Sequence, residues 1–261
     1  MLPVGICTSV EKSGIVHAAK ADFFEENVQN FFVPLKGEDV FEPLMQQALG
    51  APVPVLAANS FLPADLKCVG PQIDAPALLM YAENAFRRAH DVGVDTIVFG
   101  SGGSRRIPDG FTRAAALKQF VTLLKEMSGI AESLGVTIVV EPLNKAECNF
   151  INSLADGAEI VRQADHPHVA LLADFYHMLR DGEDPGEIVK YGDLLRHVHL
   201  AEKETRSAPG IKGDDFRPFF KALKQAGYRG RVCIEAKWGD FSVEAPLAIA
   251  ALKTQMKDAG F

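Results

Sequence analysis

Four residues that could bind a metal ion or move protons each close an apolar stretch of the sequence. Glu141 follows VTIVV, Asp174 follows VALLA, His199 lies near the end of LLRHVHL, and Glu235 follows RVCI. Successive members are 33, 25 and 36 residues apart, close to the length of one strand-helix unit. If the apolar stretches are neighbouring parallel strands, their carboxyl ends meet at one edge and these side chains converge there.

Three carboxylates in one small space indicate a bound cation. Burial and mutual repulsion each raise carboxyl pKa values, and a divalent cation is the simplest way to keep all three groups ionised. A single glutamate at the end of a strand more often forms a structural ion pair. That explanation does not account for four polar residues that each close a predicted strand. We therefore predict one divalent ion, either Mn²⁺, Mg²⁺ or Co²⁺, with Zn²⁺ as an alternative.

Two histidines on the seventh apolar stretch compete for the role of metal ligand. His197 and His199 have the same parity along the chain, so both are expected to face the interior of the sheet. His199 lies closer to the carboxyl end and is taken as the ligand. His197 is predicted to be an interior hydrogen-bonded residue or a group that supports the ligand.

Eight units of strand followed by helix are predicted to position these residues. Apolar runs of strand length alternate with longer segments of helical period, which is typical of a parallel sheet covered by helices. The candidate strands begin near Val4, Asp22, Val53, Val94, Val136, Val169, Leu195 and Arg231. This pattern predicts an α/β fold, a single (β/α)8 TIM barrel, with residues 1–261 forming one catalytic domain.

Several boundaries can be predicted from single residues. FFEEN at 23–27 and FFVPL at 31–35 both have the composition of a strand; we prefer the first, which leaves room for a helix over Glu38–Leu49. Helix starts are predicted at two capping side chains, and helix ends at three glycines that precede strands. The capping residues are Asp74 and Ser153, and the glycines are Gly93, Gly135 and Gly227.

Composition narrows the classes of partner. The net charge is −7 and no cluster of basic residues is present, so nucleic acid is not expected to bind. No apolar run approaches the roughly 18 residues that span a bilayer, and no targeting segment is recognised, so no membrane partner is expected. The cysteines lack C-x-x-C spacing, which favours a reducing, cytoplasmic setting. The sequence leaves open whether the chain forms a homo-oligomer.

Longer segments around these residues resemble a known family. VVEPLNKAECNFINS, LLADFYHM, HVHLAEKETRSAPG and CIEAKWG are similar to the xylose-isomerase-like barrels, in particular to the sugar isomerase and epimerase group that includes ketose 3-epimerases and hydroxypyruvate isomerases. The resemblance implies that Glu141, Asp174, His199 and Glu235 hold one divalent metal. It also implies that a small sugar is the substrate and that its oxygens are held by Glu147, His177 and Arg206.

The resemblance has one departure in the segment that carries Arg206. HLAEKETRSAPG is one residue longer than the epimerase pattern. A surface ion pair on a loop is therefore the alternative reading for Arg206 and for Glu147.

The chemistry implied is proton transfer next to a carbonyl. A cation would stabilise an enediolate, while Glu141 and Glu235 act as an acid and base pair on its two faces. Returning the proton to the opposite face gives an epimer, and returning it to the adjacent carbon gives an isomer. Rival functions are a lyase of the inosose dehydratase kind, a phosphodiesterase of the apurinic endonuclease kind, and a binding barrel without turnover.

Two further features have more than one reading. GSGGSRR at 100–106 could hold a phosphate or carboxylate through its amides with Arg105 and Arg106, or it could be a glycine-rich lid with arginines facing solvent. Phe61, Phe175 and Trp238 follow strands, where aromatic faces can pack on a sugar or simply complete the core.

Overall fold

Eight parallel strands close into a barrel in the computed structural model, which describes residues 1–261. Neighbours in sequence are neighbours in the barrel, and the last strand pairs with the first. The predicted (β/α)8 TIM barrel is therefore confirmed, and each predicted strand start lies within two residues of the observed one. The strands are β1 Val4–Cys7, β2 Phe23–Asn27, β3 Val55–Asn59, β4 Thr96–Phe99, β5 Thr137–Val140, β6 Val169–Asp174, β7 Leu195–Leu200 and β8 Arg231–Ile234.

Helices surround the barrel and connect its strands. FFEEN does form β2, whereas the start of FFVPL belongs to a π-helical turn, Val28–Phe32. No helix combines the length and the hydropathy that crossing a bilayer requires. The helices are α1 Ser13–Ala18, α2 Glu38–Leu49, α3 Ala75–Val92, α4 Gly102–Arg105, α5 Arg113–Ser133, α6 Leu154–Ala164, α7 Phe175–Asp181, α8 Gly186–Lys190, α9 Arg217–Gln225 and α10 Phe241–Asp258.

The predicted helix boundaries are confirmed by cap geometry. The Asp74 and Ser153 side chains accept hydrogen bonds from backbone N–H groups of the first helical turn, each at 3.1 Å. Gly93, Gly135 and Gly227 adopt positive φ angles of 82°, 68° and 70°. Such angles strain any residue with a Cβ, so these positions stop the helices and turn the chain towards the next strand.

Two glycines on either side of the end of α5 allow a test of this backbone argument. Gly129 lies inside the helix and Gly135 just beyond it, and neither would bring an added Cβ within 4 Å of another group. We expect Gly129→Ala to raise the free energy of unfolding by about 0.5–1 kcal/mol, because glycine disfavours helix. Gly135→Ala should lower it by about 1–2 kcal/mol, because its φ is left-handed. Urea denaturation measures both, and equal effects would contradict the assignment.

The barrel interior changes from apolar to polar towards the carboxyl ends of its strands. Val98, Val139, Ala170 and Leu172 form a separate buried cluster on β4, β5 and β6. Because side chains alternate along a strand, the position two residues after Val139 also faces inward, and it is a glutamate. The same alternation brings polar side chains inward at the ends of β6, β7 and β8, which makes this end of the barrel its candidate active site.

Candidate active site

The four residues predicted to bind a metal ion come together at the carboxyl ends of β5 to β8. One ligand atom from each of Glu141, Asp174, His199 and Glu235 lies within 4.8 Å of the others. His199 Nδ1 lies 3.3 Å from Glu141 Oε1 and 3.7 Å from Glu235 Oε2. A cation with bonds of about 2.1 Å holds its ligands at most about 4.2 Å apart. Small movements would therefore bring all four onto one ion.

Unpaired polar atoms at this position support the fit to a cation. Glu141 Oε1 and His199 Nδ1 are both buried and have no hydrogen-bond partner in the chain. Leaving such atoms unpaired costs about 1–3 kcal/mol each. A divalent cation would satisfy both, and the mixture of carboxylate and imidazole donors suits Mn²⁺, Mg²⁺, Co²⁺ or Zn²⁺.

The site carries more negative charge than its own cations balance. Burial raises the pKa of Glu141, and His199 offsets this only in part. Burial and the charge of Glu235 raise the pKa of Asp174 to about 6. For Glu235 the effect of burial is outweighed by His199 and Arg206, which lower its pKa to about 2. Two of the three carboxylates thus ionise less readily than usual, and a bound cation would reverse that.

Asp174 has a second role as the cap of α7. Its Oδ1 accepts a hydrogen bond from the backbone N–H of Tyr176 at 2.7 Å. Its Oδ2 lies 3.5 Å from His177 Nε2. The cap fixes one oxygen of the carboxylate, so the other is held in a defined place beside the remaining ligands.

Glu25 is a buried carboxylate beside the candidate metal site that the sequence analysis missed. Its Oε2 lies 2.8 Å from His197 Nε2 and its Oε1 lies 2.9 Å from His199 Nε2, and all three side chains are fully buried. Burial alone would raise the pKa of Glu25, but the contacts with His199 and His197 keep that pKa below its usual range. As predicted, His197 is an interior hydrogen-bonded residue.

This carboxylate fixes the ring that faces the candidate metal site. Nε2 of His199 lies on the Glu25 side of the ring, at 2.9 Å from Oε1, so Nδ1 is the nitrogen that faces Glu141 and Glu235. Carboxylates in this position orient the imidazole ligands of metal sites and set their tautomer. A signal was present in the sequence, since two acidic residues follow two phenylalanines in FFEEN and alternation places Glu25 inside the barrel.

Gly100 is required by the position of Glu141. A Cβ at Gly100 would overlap with Glu141 Oε2. We expect Gly100→Ala to displace this carboxylate and to weaken Mn²⁺ binding by about 10–100-fold, as loss of ligand support does elsewhere. Isothermal titration calorimetry measures the affinity, with the helical Gly129→Ala as a control. Unchanged affinity would mean that metal binding does not depend on the observed position of Glu141.

The residues predicted to contact substrate lie around one cavity above the four candidate ligands. The cavity has a volume of about 350 Å³ and is bordered by Glu141, Glu147, His177, Arg206 and Glu235. Arg206 forms a close ion pair with Glu235, lies 3.4 Å from Glu147 Oε1 and packs over the Tyr176 ring. Its side chain is only 19% exposed, so the arginine lies in the wall of the cavity rather than on a free loop.

Asn144 connects two of these residues and was also missed. Its side-chain amide donates to Glu147 Oε1 at 2.9 Å and lies 2.8 Å from His177 Nδ1. The backbone N–H of Asn144 also donates to His177 Nδ1. Because Nδ1 accepts, the neutral ring carries its proton on Nε2. Burial lowers the pKa of His177, which favours that neutral form.

The glycine-rich loop after β4 is neither the anion-binding loop nor the lid with solvent-facing arginines that the sequence predicted. Arg105 is buried and donates to the carbonyl oxygens of Phe99 and Glu141 at 3.0 and 2.6 Å, so the expectation that it binds a phosphate or faces solvent is wrong. Arg106 is exposed, yet it donates to the Glu147 carbonyl oxygen at 2.6 Å. Both arginines brace the cavity wall, because a guanidinium can satisfy several carbonyl groups at once.

The three aromatic residues separate into two groups. Phe61 stacks on Phe86 and Phe175 on Phe219, and both are fully buried in the core. Trp238 is half-buried and lines a second cavity beside β8. Of these three aromatic residues, only Trp238 could therefore contact a bound molecule.

A family model described as Xylose isomerase-like TIM barrel matches residues 15–257. The chain belongs to this family. Among its xylose isomerase-like relatives, 3-dehydro-D-guloside 4-epimerase of Escherichia coli (strain K12) is 33% identical over 115 residues, 44% of each chain. A putative hydroxypyruvate isomerase of Danio rerio is 29% identical over 141 residues, 51% of each chain. The aligned stretches span about half or less of these relatives.

Solved structures of the same barrel superpose over nearly the whole chain. D-psicose 3-epimerase from Clostridium cellulolyticum H10, solved with D-tagatose, has a TM-score of 0.85 at 20% identity and covers 98% of this chain and 99% of its own. 3-Keto-D-glucoside 4-epimerase from E. coli has a TM-score of 0.82 at 24% identity and covers 97% and 100%. At this identity the likeness establishes the fold. The sequence relatives named above, rather than these structures, relate the chain to sugar epimerases and isomerases.

Proposed function

We propose that this protein is a divalent-metal-dependent isomerase or epimerase of a small keto-sugar or a related hydroxy-carbonyl compound. One observation carries the proposal: four potential metal ligands converge within 4.8 Å, and two of them, Glu141 and Glu235, also border the cavity above. A metal site and a pair of carboxylates therefore meet where a substrate would bind. The relatedness to sugar epimerases and isomerases supports the choice of reaction class.

In this proposal the two glutamates exchange a proton with carbon. Glu141 follows β5 and Glu235 follows β8, so they approach the cavity from separate sides of the barrel. One carboxylate removes the proton next to the carbonyl, and the other protonates the opposite face or the neighbouring carbon. A bound divalent cation would stabilise the negative charge that develops on the substrate oxygens.

Three further side chains are proposed to orient the substrate. The neutral His177 offers an Nε2–H donor, Arg206 offers a guanidinium, and Glu147 accepts hydrogen bonds; all three border the cavity. Asn144 holds two of them in place. Such a ring of donors and acceptors suits the hydroxyl and carbonyl oxygens of a sugar. The structure with D-tagatose shows that a related barrel accommodates a ketose.

Hydrogen exchange at carbon tests the proposal. Metal-stripped protein is reloaded with Mn²⁺ and incubated in D2O with D-psicose, D-tagatose, L-ribulose, hydroxypyruvate and their phosphorylated counterparts where these exist, while NMR follows deuterium uptake. We expect metal-dependent uptake next to the carbonyl with at least one compound. Uptake with loss of water from the substrate would indicate a lyase instead. Tight Mn²⁺ binding without any uptake would contradict the proposed reaction.

The phosphodiesterase alternative has no support at the place where it would need a further ligand. The segment after β7 reads GDDFRP at 213–218. There Asp214 accepts a hydrogen bond from the Lys203 backbone N–H at 2.6 Å. Asp215 contacts Arg217 at 3.0 Å. Both acids are used within the surface segment, so neither is free to complete a cluster of several metal ions.

A further inference from the structure

A fully buried carboxylate lies outside the site described so far. Glu202 comes shortly after the end of β7, and its side chain has no exposed surface. It is neither one of the four candidate metal ligands nor a residue that borders the cavity above them. Burial of a carboxylate is unfavourable unless the group is hydrogen-bonded. The partners of Glu202 therefore indicate its role.

All side-chain partners of Glu202 come from the segment that follows it, residues 203–214, which we call the Arg206 segment. Its two oxygens together accept hydrogen bonds from four backbone N–H groups and one hydroxyl. Bonds to a charged acceptor are stronger than those between neutral groups. The donors are the Ser207 hydroxyl at 2.8 Å and the backbone N–H groups of Gly210 at 2.9 Å, Lys212 at 2.6 Å, Gly213 at 2.9 Å and Asp214 at 3.4 Å.

Arg206 lies inside this segment in a backbone conformation that needs support. Its φ of 54° is in the left-handed region, which is unfavourable for a residue with a Cβ. The next residue, Ser207, bonds to Glu202 a second time, because its carbonyl oxygen accepts from the Glu202 backbone N–H at 2.9 Å. From β8 onwards, the Lys237 backbone N–H donates to the Arg206 carbonyl oxygen at 2.7 Å. A strained residue persists where its surroundings fix it in this way.

The backbone held in this way places the Arg206 guanidinium in the wall of the cavity. The group lies 3.4 Å from Glu147 Oε1, forms a close ion pair with Glu235 and packs 4.7 Å from the centre of the Tyr176 ring. These partners follow β5, β8 and β6, and none belongs to the Arg206 segment. Arg206 therefore reaches them only while its own segment keeps its shape.

We infer that Glu202 is the positioning residue for Arg206: it holds the Arg206 segment in the shape that presents the guanidinium to a bound substrate. This inference rests on the proposed function, because a sugar oxygen as the partner of Arg206 is itself proposed. That Glu202 holds the segment does not depend on the substrate. Glu202 takes no part in proton transfer. Because Arg206 is held in place before binding, less ordering is required when the substrate arrives.

Glu202→Gln is expected to release the Arg206 segment. Glutamine has one acceptor oxygen, and its NH2 group would face N–H groups that also donate. We expect trypsin to cleave the whole chain after Arg206 at least about 10-fold faster in the variant, because cleavage rates follow how often a segment opens. Mass spectrometry identifies this cleavage. Glu204→Gln is the matched control, because Glu204 is exposed in the same segment and lies outside the hydrogen bonds to Glu202.

A double-mutant cycle tests whether Glu202 acts through Arg206. Deuterium uptake is measured with the compounds that the wild type turns over. Glu202→Gln should lower kcat/KM by about 10–100-fold, mainly through KM, because a substrate contact is displaced. In an Arg206→Ala background the same substitution should change kcat/KM by less than about 3-fold. A general loss of stability would instead give equal losses in both backgrounds.

The outcomes separate this inference from the proposed function. Equal losses in both backgrounds, or unchanged cleavage after Arg206, would overturn the inference and leave the proposed reaction intact. If Glu202→Gln does not fold, Ser207→Ala removes one donor next to Arg206 and should give both effects at about 3-fold, as loss of one hydrogen bond does elsewhere. A wild type that takes up no deuterium into any compound would overturn the proposed function, and cleavage would still decide whether Glu202 holds the segment.

Discussion

Glu235→Gln is expected to reduce metal-dependent deuterium uptake by about 10²–10⁴-fold, the usual contribution of a general acid or base. Glutamine keeps an oxygen that can contact a cation, but it cannot carry the proton. The side chain borders both the candidate ligands and the cavity, and its pKa is lowered to about 2 by His199 and Arg206 despite its burial. It is therefore ionised throughout the neutral range and able to accept a proton.

The measurement must distinguish a loss of proton transfer from a loss of the bound metal ion. Mn²⁺ binding to the variant is followed by electron paramagnetic resonance, and uptake is compared at saturating Mn²⁺. Glu244→Gln is a matched control, because Glu244 lies in the same part of the chain and accepts only from the Gly239 backbone N–H. Near-normal uptake by a metal-loaded Glu235→Gln protein would remove this residue from the proposed mechanism.

Glu25→Gln is expected to weaken Mn²⁺ binding by about 10–100-fold although Glu25 is not one of the four candidate ligands. The carboxylate contacts His197 and His199 at once, at 2.8 and 2.9 Å. A glutamine has only one oxygen to accept from an imidazole N–H, so one of the two rings loses its partner. The ring of His199 would then be free to turn away from the metal position.

Calorimetric titration with Mn²⁺ provides the test, and the neighbouring residue provides the control. Glu26→Gln alters the adjacent buried glutamate, which contacts backbone N–H groups rather than a histidine. Its Mn²⁺ affinity should stay within about 3-fold of the wild type, well inside the loss expected for Glu25→Gln. The melting temperature of metal-free protein shows whether either variant is merely unstable. Equal affinities for both variants would show that Glu25 has no role in presenting His199.

The sequence was sufficient to predict the barrel and the residues that gather at its mouth. Parallel strands buried on both faces are nearly continuous apolar runs, so a polar residue that closes such a run stands out. The positions of Glu141, Asp174 and Glu235 followed from this rule alone. His199 required the added argument that side chains alternate along a strand. In each case the signal lies within a few residues of the functional group.

Contacts between distant parts of the chain were not predictable in the same way. Glu25 meets His197 across 172 positions of sequence. Arg105 was expected to bind a phosphate or carboxylate or to face solvent. It is instead buried, and its guanidinium donates to the carbonyl oxygens of Phe99 and Glu141 at the carboxyl ends of β4 and β5. No local sequence pattern predicts such long-range contacts, because they depend on how the barrel closes.

A manganese soak of crystals tests whether the four side chains share one metal ion. Crystals are soaked in MnCl2, and anomalous differences are measured above the manganese edge. We predict one strong peak at the carboxyl ends of β5 to β8, about 2.0–2.3 Å from an atom of each of Glu141, Asp174, His199 and Glu235. An empty position between these four side chains, in crystals that bind manganese elsewhere, would contradict the account.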